Sequence, residues 1–493
     1  PYMGQAIMRV PHYPQNHDWT ETFQAWNIYN LDIERVARNL LDSVLPVGVV
    51  EGFYGTPWTH IARLDMIDFL GNHGFNIYIY APKDDPFHRE RWAEPYPQPE
   101  FARLRNLTTR AIRRDVDFCF ALSPGLSMRY SSDEDFERLW KKAAQVAELG
   151  VRTFGLFLDD IPPELAHDQD KSKFPSLAEA HVHVANKLLE RLKKEYGEVR
   201  LILCPTPYWG VEPQDYHRLL GQGLSSEIHV MWTGRTVCSS TITCQDADSY
   251  GSGIRRKPFL WDNYPVNDYN RDRLFLGPLK GRDSELLQHL SGYVSNPMNE
   301  AEASKFALLT FADYASNPPR YDPIESWKRA VQQILPRELR KAFLAFADHS
   351  RASFLDIDES PALSEYVREI MRNPMDADLI NRMVRYLHDL RRSIKKLERG
   401  LPPKLKKEMR PYLRKGDSLV ELGLCSLDLL KSARKRIPKT SKSKRRIQNM
   451  LNQVSKDSHQ LMGKIKANWT IEKFEQDSYP EQLAKKALEV TKS

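Results

Sequence analysis

Short apolar runs alternate with amphipathic stretches along the middle of the chain, from Val47 to about Ser316. The apolar runs have the length and composition of buried parallel strands, and the stretches between them repeat apolar residues at helical spacing. The predicted strands are Val47–Gly55, Phe75–Pro82, Asp117–Pro124, Thr153–Asp160, Arg200–Tyr208, Ile228–Gly234, Pro258–Val266 and Gly292–Met298. The predicted helices between and after them include His60–Gly71, Asp133–Gly150, Leu177–Glu195 and Glu300–Ala315.

Eight strand-then-helix units in about 270 residues have the size and rhythm of a (β/α)8 barrel. A doubly wound open sheet alternates in the same way, but it rarely reaches eight units without a phosphate-binding glycine loop. The chain contains no G-x-G-x-x-G sequence. We therefore predict an α/β fold with a (β/α)8 TIM barrel over residues 47–318.

The two ends of the chain show different patterns. After Pro318-Pro319 only helical spacing remains, which predicts an all-α helical bundle domain over residues 319–493. Its predicted helices are Pro323–Ile334, Arg337–Asp348, Ser364–Arg372, Ala377–Arg399, Lys404–Lys415, Asp417–Arg436, Ser443 to about Lys466, and Pro480–Thr491. Residues 1–46 contain one helical pattern, Leu31–Leu45, and form either a staple under the first strand or the remnant of a larger N-terminal domain.

Composition indicates a globular protein of two or three domains, with 493 residues, 41% hydrophobic and 28% charged. No apolar run approaches the roughly twenty residues of a membrane span, so no membrane association is expected. The five cysteines are odd in number and lack metal-ligand spacing. We expect reduced thiols in a cytoplasmic protein.

The net charge of +7 is concentrated in one segment. Residues 391–446 contain twenty Lys and Arg against five Asp and Glu, and subtracting that excess of fifteen leaves −8 for the rest of the chain. Such a segment either binds a polyanion such as nucleic acid or forms a solvated helix face. Charged helices are usually solvated, and the stretch Pro438–Arg446 lacks aromatic residues, so we expect no nucleic acid partner.

Two adjacent carboxylates, Asp159 and Asp160, end the fourth predicted strand. Active sites of such barrels lie at the carboxyl ends of the strands. Two like charges this close do not ionise together readily, so one proton is held more tightly, and a carboxylic acid beside a carboxylate suits acid–base catalysis. The alternative is that one of them caps a helix that begins at Pro162-Pro163.

The other strand ends carry polar and aromatic residues of the kind that bind sugars. Carboxylates and amides form paired hydrogen bonds with hydroxyls, and indole rings pack on the C–H faces of a pyranose. The strand-end residues are Glu51 to Gly55, Lys83, Asp84, Asp85, Ser123, Asp159, Asp160, Tyr208, Trp232, Thr233, Trp261, Asp262, Asn263, Asp268 and Asn296. No His-x-His pair or carboxylate cluster at metal spacing appears among the strand ends, so no metal and no cofactor are expected.

These stretches together resemble the catalytic domain of family 84 glycoside hydrolases, the β-N-acetylglucosaminidases that include protein O-GlcNAcases. The matching stretches are GVVEGFYGTPW (48–58), YIYAPKDD (78–85), LFLDDI (156–161), CPTPY (204–208), VMWTG (230–234), WDN (261–263) with NDY (267–269), LFLGP (274–278) and NP (296–297). The resemblance covers Val47 to about Ala315, and its specificity comes from eight motifs in the same order.

The resemblance implies a retaining mechanism in which the substrate's own 2-acetamido oxygen attacks the anomeric carbon and forms an oxazoline. Asp159 would accept the acetamido N–H, and Asp160 would protonate the leaving oxygen and later activate water. In the usual two-carboxylate mechanism the carboxylates flank the bond about 5 to 9 Å apart, which adjacent residues do not easily achieve. An internal nucleophile removes that requirement.

The resemblance also implies roles in substrate binding. Tyr208 and Asn263 would contact the acetamido group and Trp261 would wall its methyl pocket. The sugar hydroxyls would be bound by Lys83, Asp268 and Asn296 with the backbone carbonyl of Gly52. The alternatives are a surface ion pair for Lys83, a core position for Trp261 and turn positions for the asparagines.

The sequence therefore predicts a retaining β-N-acetylglucosaminidase that acts on a GlcNAc-bearing glycan or glycoprotein, including O-GlcNAc on Ser or Thr. One alternative is a hydrolase of hyaluronan-like or other GlcNAc-containing glycans. Another, of a different class, is a non-catalytic glycan- or polyanion-binding protein. By analogy with the family, the helical region is a candidate surface for a homodimer.

Overall fold

Eight parallel strands close into a barrel in the computed structural model, in the order β1 to β8. The structure describes residues 44–350, 353, 355, 360–435, 441–462 and 478–490. The strands are β1 (Val47–Glu51), β2 (Ile77–Tyr80), β3 (Asp117–Leu122), β4 (Thr153–Phe157), β5 (Arg200–Cys204), β6 (Ile228–Trp232), β7 (Phe259–Asp262) and β8 (Gly292–Ser295). The barrel closes where β8 pairs with β1, with Val47 opposite Tyr293. The predicted α/β barrel is confirmed.

Each strand ends before the predicted run does. Strand β4, for example, ends at Phe157, so Asp159 and Asp160 lie beyond the sheet. The strands are apolar because both faces are covered: alternate residues such as Val50, Ile79 and Phe157 fill the barrel interior, and the others face the helices. Most of the strand-end residues thus lie in loops at one end of the barrel, above a packed core. Glu51, Trp232, Trp261 and Asp262 instead belong to the last residues of their strands.

Helices cover the outside of the barrel. They are α1 (His60–Asn72), α2 (Gln98–Arg113), α3 (Asp133–Ala147), α4 (Asp168–Lys173), α5 (Leu177–Tyr196), α6 (Asp215–Gly223), α7 (Cys244–Ile254) and α8 (Ala301–Ser316). No helix begins at Pro162-Pro163; the next helix starts at Asp168. The cap alternative for Asp159 and Asp160 is therefore wrong, because the chain after them runs irregularly for several residues.

The remaining elements are helical, as predicted. They are α9 (Pro323–Ile334), α10 (Arg337–Asp348), α11 (Pro361–Arg372), α12 (Ala377–Gly400), α13 (Pro403–Arg434), α14 (Ser441–Met462) and α15 (Tyr479–Val490). Prediction placed a break near Gly416, but α13 runs through it. A Cβ at Gly416 would lie 3.3 Å from both Ile394 and Phe346, so this glycine allows close helix packing, and packing overrides its low helix propensity.

The barrel and the helical region pack against each other. Phe306 of α8 stacks on Phe343 of α10, with ring centroids 4.2 Å apart. Among the described residues, no helix combines the length and the apolar character that a bilayer span requires. Residues 1–43, with most of the predicted helix Leu31–Leu45, lie outside the described part of the chain.

Candidate active site

The carboxylate of Asp159 is paired with the ammonium group of Lys83 at the carboxyl ends of β4 and β2. Both side chains are almost fully buried, with 6% and 2% exposure. Only Oδ2 of Asp159 accepts this bond; Oδ1 is buried and has no hydrogen-bond partner among the described residues. A buried carboxylate oxygen without a partner is costly, which marks it as an acceptor available to a ligand.

Asp160 points its carboxylate toward two tyrosines. The Tyr54 hydroxyl donates to Oδ2 at 2.7 Å and the Tyr208 hydroxyl donates to Oδ1 at 2.9 Å. The backbone of Asp160 has φ +54°, a left-handed conformation that a non-glycine residue adopts at a cost. The Lys83 ammonium that pairs with Asp159 also lies 3.9 Å from Asp160 Oδ2, so one cation lies close to both carboxylates.

The two carboxylates have pKa values that move in opposite directions. Burial raises the pKa of Asp160, and the negative charge of Asp159 raises it further, against the opposing effects of Lys83 and the two tyrosine hydroxyls. Burial also acts to raise the pKa of Asp159, but the positive charges of Lys83 and Arg89 outweigh it and hold that pKa below its usual range. Asp160 therefore holds its proton more tightly than an ordinary aspartate, and Asp159 holds its proton less tightly.

An amide network lies on the other side of the pocket. The Trp261 indole N–H donates to Asn263 Oδ1 at 2.9 Å, and Asn296 Nδ2 donates to the same oxygen at 2.9 Å. Asn263 Nδ2 donates to the carbonyl of Val237 at 2.7 Å. The centroid of the Trp261 ring also lies 5.8 Å from the Lys83 ammonium. The network fixes the indole and leaves Asn296 Oδ1 buried without a partner among the described residues.

Gly52 lies against the same indole. A Cβ at this position would come within 2.3 Å of Trp261 Cζ2, so only glycine lets the ring lie over the end of β1. The predicted reason for glycine was close approach of the substrate to its carbonyl. The structure adds a second reason, which is the packing of Trp261.

Asp268 lies in the loop after β7 and accepts the backbone N–H of Tyr54 at 2.8 Å. Burial raises its pKa to about 6. Because the Tyr54 hydroxyl bonds Asp160, this residue connects Asp268 to the carboxylate pair. Sequence reasoning did not single out Tyr54, although it belongs to the motif at residues 48–58 and could have been found there.

Arg89 is a second residue that the sequence did not single out. Its guanidinium donates to the carbonyl of Asp160 at 2.9 Å, and its charge lowers the pKa of Asp159. Its place in a loop after β2, beside the predicted Lys83, gave a weak positional signal. The neighbouring His88 is buried with Nδ1 at 2.9 Å from the carbonyl of Ala121, and burial lowers its pKa to about 4.

Several strand-end residues do not join the pocket. Asp262 faces outward, where Arg282 donates to its two oxygens at 2.8 and 2.6 Å and the Tyr293 hydroxyl donates at 2.6 Å. Glu51 likewise pairs with Arg63. Successive residues of a strand face opposite sides of the sheet, so the strand-end list held both kinds of position. Within the described residues no cluster of His, Cys, Asp and Glu could hold a metal ion.

The chain is similar to known proteins of one family. A sequence model described as beta-N-acetylglucosaminidase matches residues 47–348. Protein O-GlcNAcase from Rattus norvegicus and that from Mus musculus are each 40% identical to this chain over 278 residues, 55% of this chain and 30% of the relative. A solved mutant O-GlcNAc hydrolase from Thermobaculum terrenum has a TM-score of 0.81 and 32% identity, covering 90% of this chain and 94% of that one. The match thus spans about 30% of the length of the curated relatives.

Proposed function

This chain belongs to the β-N-acetylglucosaminidase family, and from that premise we propose that it is a retaining glycoside hydrolase that uses substrate-assisted catalysis. Its substrate is a terminal β-linked N-acetylglucosamine. The observation that carries the proposal is the Asp159–Asp160 pair, in which adjacent carboxylates have pKa values shifted in opposite directions. One ionised and one protonated carboxyl on the same side of the sugar fit a reaction whose nucleophile is supplied by the substrate.

Asp159 orients that nucleophile. Its free Oδ1 accepts the acetamido N–H, while Lys83 holds Oδ2 and keeps the group ionised. The acetamido oxygen then forms a bond to the anomeric carbon as the bond to the leaving oxygen breaks. The positive charge that develops on the oxazolinium ring is stabilised by the carboxylate, an effect that is strong in a buried site.

Asp160 transfers the proton. It gives its proton to the leaving oxygen in the first half of the reaction and takes one from water in the second half, as that water attacks the anomeric carbon and the ring opens to restore the acetamide. Tyr54 and Tyr208 hold its two oxygens, so the carboxylate is fixed for both transfers. The raised pKa keeps the acid protonated to a higher pH than an ordinary aspartate.

The remaining residues bind the sugar. We infer that Tyr208 and Asn263 contact the acetamido group and that Trp261 walls the pocket for its methyl group. The hydroxyls are bound by Lys83, Asp268 and Asn296 with the Gly52 carbonyl. Support comes from the burial of Lys83, Tyr208, Trp261, Asn263 and Asn296 and from the unpartnered oxygen of Asn296.

The decisive experiment is hydrolysis of an aryl β-N-acetylglucosaminide beside the matching β-glucoside, with and without a thiazoline mimic of the oxazoline. We expect cleavage of the acetamido sugar alone and inhibition by the thiazoline, because the glucoside lacks the internal nucleophile. Equal cleavage of both sugars would contradict substrate assistance. Inertness of folded protein toward both would favour a binding protein.

Three finer proposals accompany this one. The relatives are named for O-GlcNAc, so we propose O-GlcNAc on protein Ser or Thr as the substrate, with free glycans as the alternative. A glycopeptide compared with a hyaluronan oligosaccharide of matched concentration separates the two.

The five free thiols fit a cytoplasmic protein, which fractionation tests. A homodimer through the helical region is tested by sedimentation of the full chain.

A further inference from the structure

One face of α13 contacts the barrel beside the candidate active site. Glu408, Tyr412 and Lys415 are spaced four and three residues apart, so they lie on the same side of the helix. All three reach polar groups of the segments that follow β7 and β8. These segments carry Asp268 and Asn296, two of the residues proposed to bind the sugar.

Tyr412 contacts both of these segments. Its hydroxyl lies 3.2 Å from the carbonyl of Arg271 and 3.0 Å from Oε1 of Glu300. The other oxygen of Glu300 accepts from Asn267 Nδ2 at 3.3 Å. Asn267 immediately precedes Asp268, so two hydrogen bonds separate α13 from the backbone of a proposed substrate-binding residue.

The same loop is held at its far end by Lys415. The ammonium group donates to Asp272 Oδ2 at 2.8 Å and to the Asp272 carbonyl at 3.2 Å. Both side chains are largely buried, at 13% and 17% exposure, so the pair is less screened than a surface salt bridge. Tyr412 and Lys415 therefore bind consecutive residues of the loop, Arg271 and Asp272.

Glu408 acts on the segment after β8. Its Oε2 accepts the backbone N–H groups of Glu302 and Ala303 at 2.8 and 3.0 Å, in the first turn of α8. These N–H groups have no partner inside the helix, so a carboxylate from another helix satisfies them. The start of α8 follows closely after Asn296 and is thereby fixed to α13.

The loop is in turn connected to the carboxylate pair. Asp268 accepts the Tyr54 N–H, and the Tyr54 hydroxyl donates to Asp160. A shift of the loop would move Asp268 and loosen Tyr54 together.

We propose that the face of α13 formed by Glu408, Tyr412 and Lys415 positions residues 267–273, the loop that carries Asp268. Tyr412 and Lys415 are positioning residues that act through Asp268. The catalytic consequence rests on the function proposed above, because it supposes that Asp268 binds a hydroxyl of the substrate. It gives the helical region a defined part in the site without placing any of its residues in contact with the sugar.

The test is a double-mutant cycle with an activated aryl β-N-acetylglucosaminide. Tyr412→Phe removes only the hydroxyl and should lower kcat/KM by about 3- to 10-fold, the effect of one or two hydrogen bonds, mainly through KM. Lys415→Met should do the same. In an Asp268→Asn background each change should have less than about a twofold effect, since the residue it positions no longer acts.

The matched control is Tyr386→Phe. This tyrosine is half-buried in the helical region, where its hydroxyl lies 2.8 Å from His349 Nε2 and makes no hydrogen bond to the loop. Tyr386→Phe should leave KM unchanged in both backgrounds. Equal losses from Tyr412→Phe with and without Asp268, or no loss in either, would overturn the inference.

Amide hydrogen exchange of residues 267–273 tests, independently of activity, whether α13 positions this loop. Exchange should be faster in Tyr412→Phe than in the unmodified protein and unchanged in Tyr386→Phe. Should the unmodified protein be inert toward the aryl substrate, the proposed function fails, yet faster exchange would still support the positioning role. Unchanged exchange in Tyr412→Phe would overturn it.

Discussion

The barrel and the basic segment 391–446 use the same charged residue types in opposite ways. At the carboxyl end of the barrel, the side chains of Lys83 and Asp159 are 2% and 6% exposed, and neighbouring charges decide which carboxyl keeps its proton. In the basic segment, the side chains of Arg446 and Glu421 are 63% and 30% exposed, although Arg446 Nη2 lies only 2.8 Å from Glu421 Oε1. Charge alone therefore says little about function; desolvation determines whether a charge controls chemistry.

The difference also explains why the net charge of the chain was a poor guide. Part of the positive charge of the basic segment is neutralised by nearby carboxylates. The Arg391 guanidinium, for example, lies 3.1 Å from Asp417 Oδ1 and 2.5 Å from Glu421 Oε2. Lys404 pairs with Asp65 of the barrel helix α1. The sequence predicts a solvated helix face, and the structure adds ion pairs to it. The absence of a nucleic acid partner stays a prediction. The proposed chemistry lies in the barrel, where the charges are buried.

The largest expected effect comes from removing the proposed acid. Asp160→Asn should lower kcat on an O-GlcNAc peptide by about 10²–10⁴-fold, because its serine or threonine oxygen leaves poorly without a proton. An aryl glycoside with an acidic phenol needs little protonation and should lose less than about tenfold. Steady-state rates on the two substrates test this, and equal losses would remove Asp160 from the role of acid.

Removing the neighbouring carboxylate should give a different pattern. Asp159→Asn should slow both substrates by about 10²–10³-fold, since orientation of the internal nucleophile and stabilisation of the oxazolinium matter whatever the leaving group. The same pair of assays measures it. A near wild-type rate on either substrate would break the contrast drawn between the two carboxylates.

The buried ion pair between Arg282 and Asp262, on the outside of the barrel, allows a test of stability that does not involve catalysis. Arg282 and Asp262 are each 1% exposed, so Arg282→Met leaves an uncompensated buried carboxylate. We expect a loss of roughly 3–5 kcal/mol in the free energy of unfolding. Urea unfolding measures this loss. A loss below about 1 kcal/mol would show that burial does not determine how much the ion pair contributes to the free energy of unfolding.

The pH profile of kcat/KM should reflect the opposed pKa shifts. Asp160 must carry its proton, and because its pKa is raised, activity should persist above the usual range of an aspartate and fall as pH rises through that pKa. Asp159 must be ionised, and because its pKa is lowered, the acid limb should begin only at low pH. On the activated aryl glycoside, Asp160→Asn should lack the alkaline limb, and retention of that limb would assign it to another group.

The smallest effect is expected in the basic segment. Arg446→Met removes the same charge as Arg282→Met from a pair of similar length, but the pair is solvated, so the free energy of unfolding should change by only about 0–1 kcal/mol. The same urea experiment provides the comparison. A cost close to that of Arg282→Met would contradict the distinction between the two regions.

Much of the site could be predicted because its residues follow strands. In a (β/α)8 barrel every strand ends at the same face, so the order of motifs brings Lys83, Asp159, Tyr208 and Asn263 to one face without further information. Tyr54 and Arg89 were missed although Tyr54 follows β1 as closely as Lys83 follows β2. Their roles depend on contacts with Asp160, which is distant from both in sequence, and no local pattern indicates such contacts. Asp262 was uncertain because one residue of register decides whether a side chain faces the pocket or the helices.

The sequence by itself determined the barrel, the helical region after it and the identity of the carboxylate pair, because each rests on local periodicity or on consecutive residues. Only the tertiary structure decided the proton preference of each carboxyl, since pKa values depend on burial and on charges distant in sequence such as Lys83. It alone brought Tyr412 and Lys415, more than 140 positions beyond Arg271 and Asp272 in the chain, against the loop that carries Asp268. Contacts between residues this far apart arise from packing of whole elements, which no local pattern records.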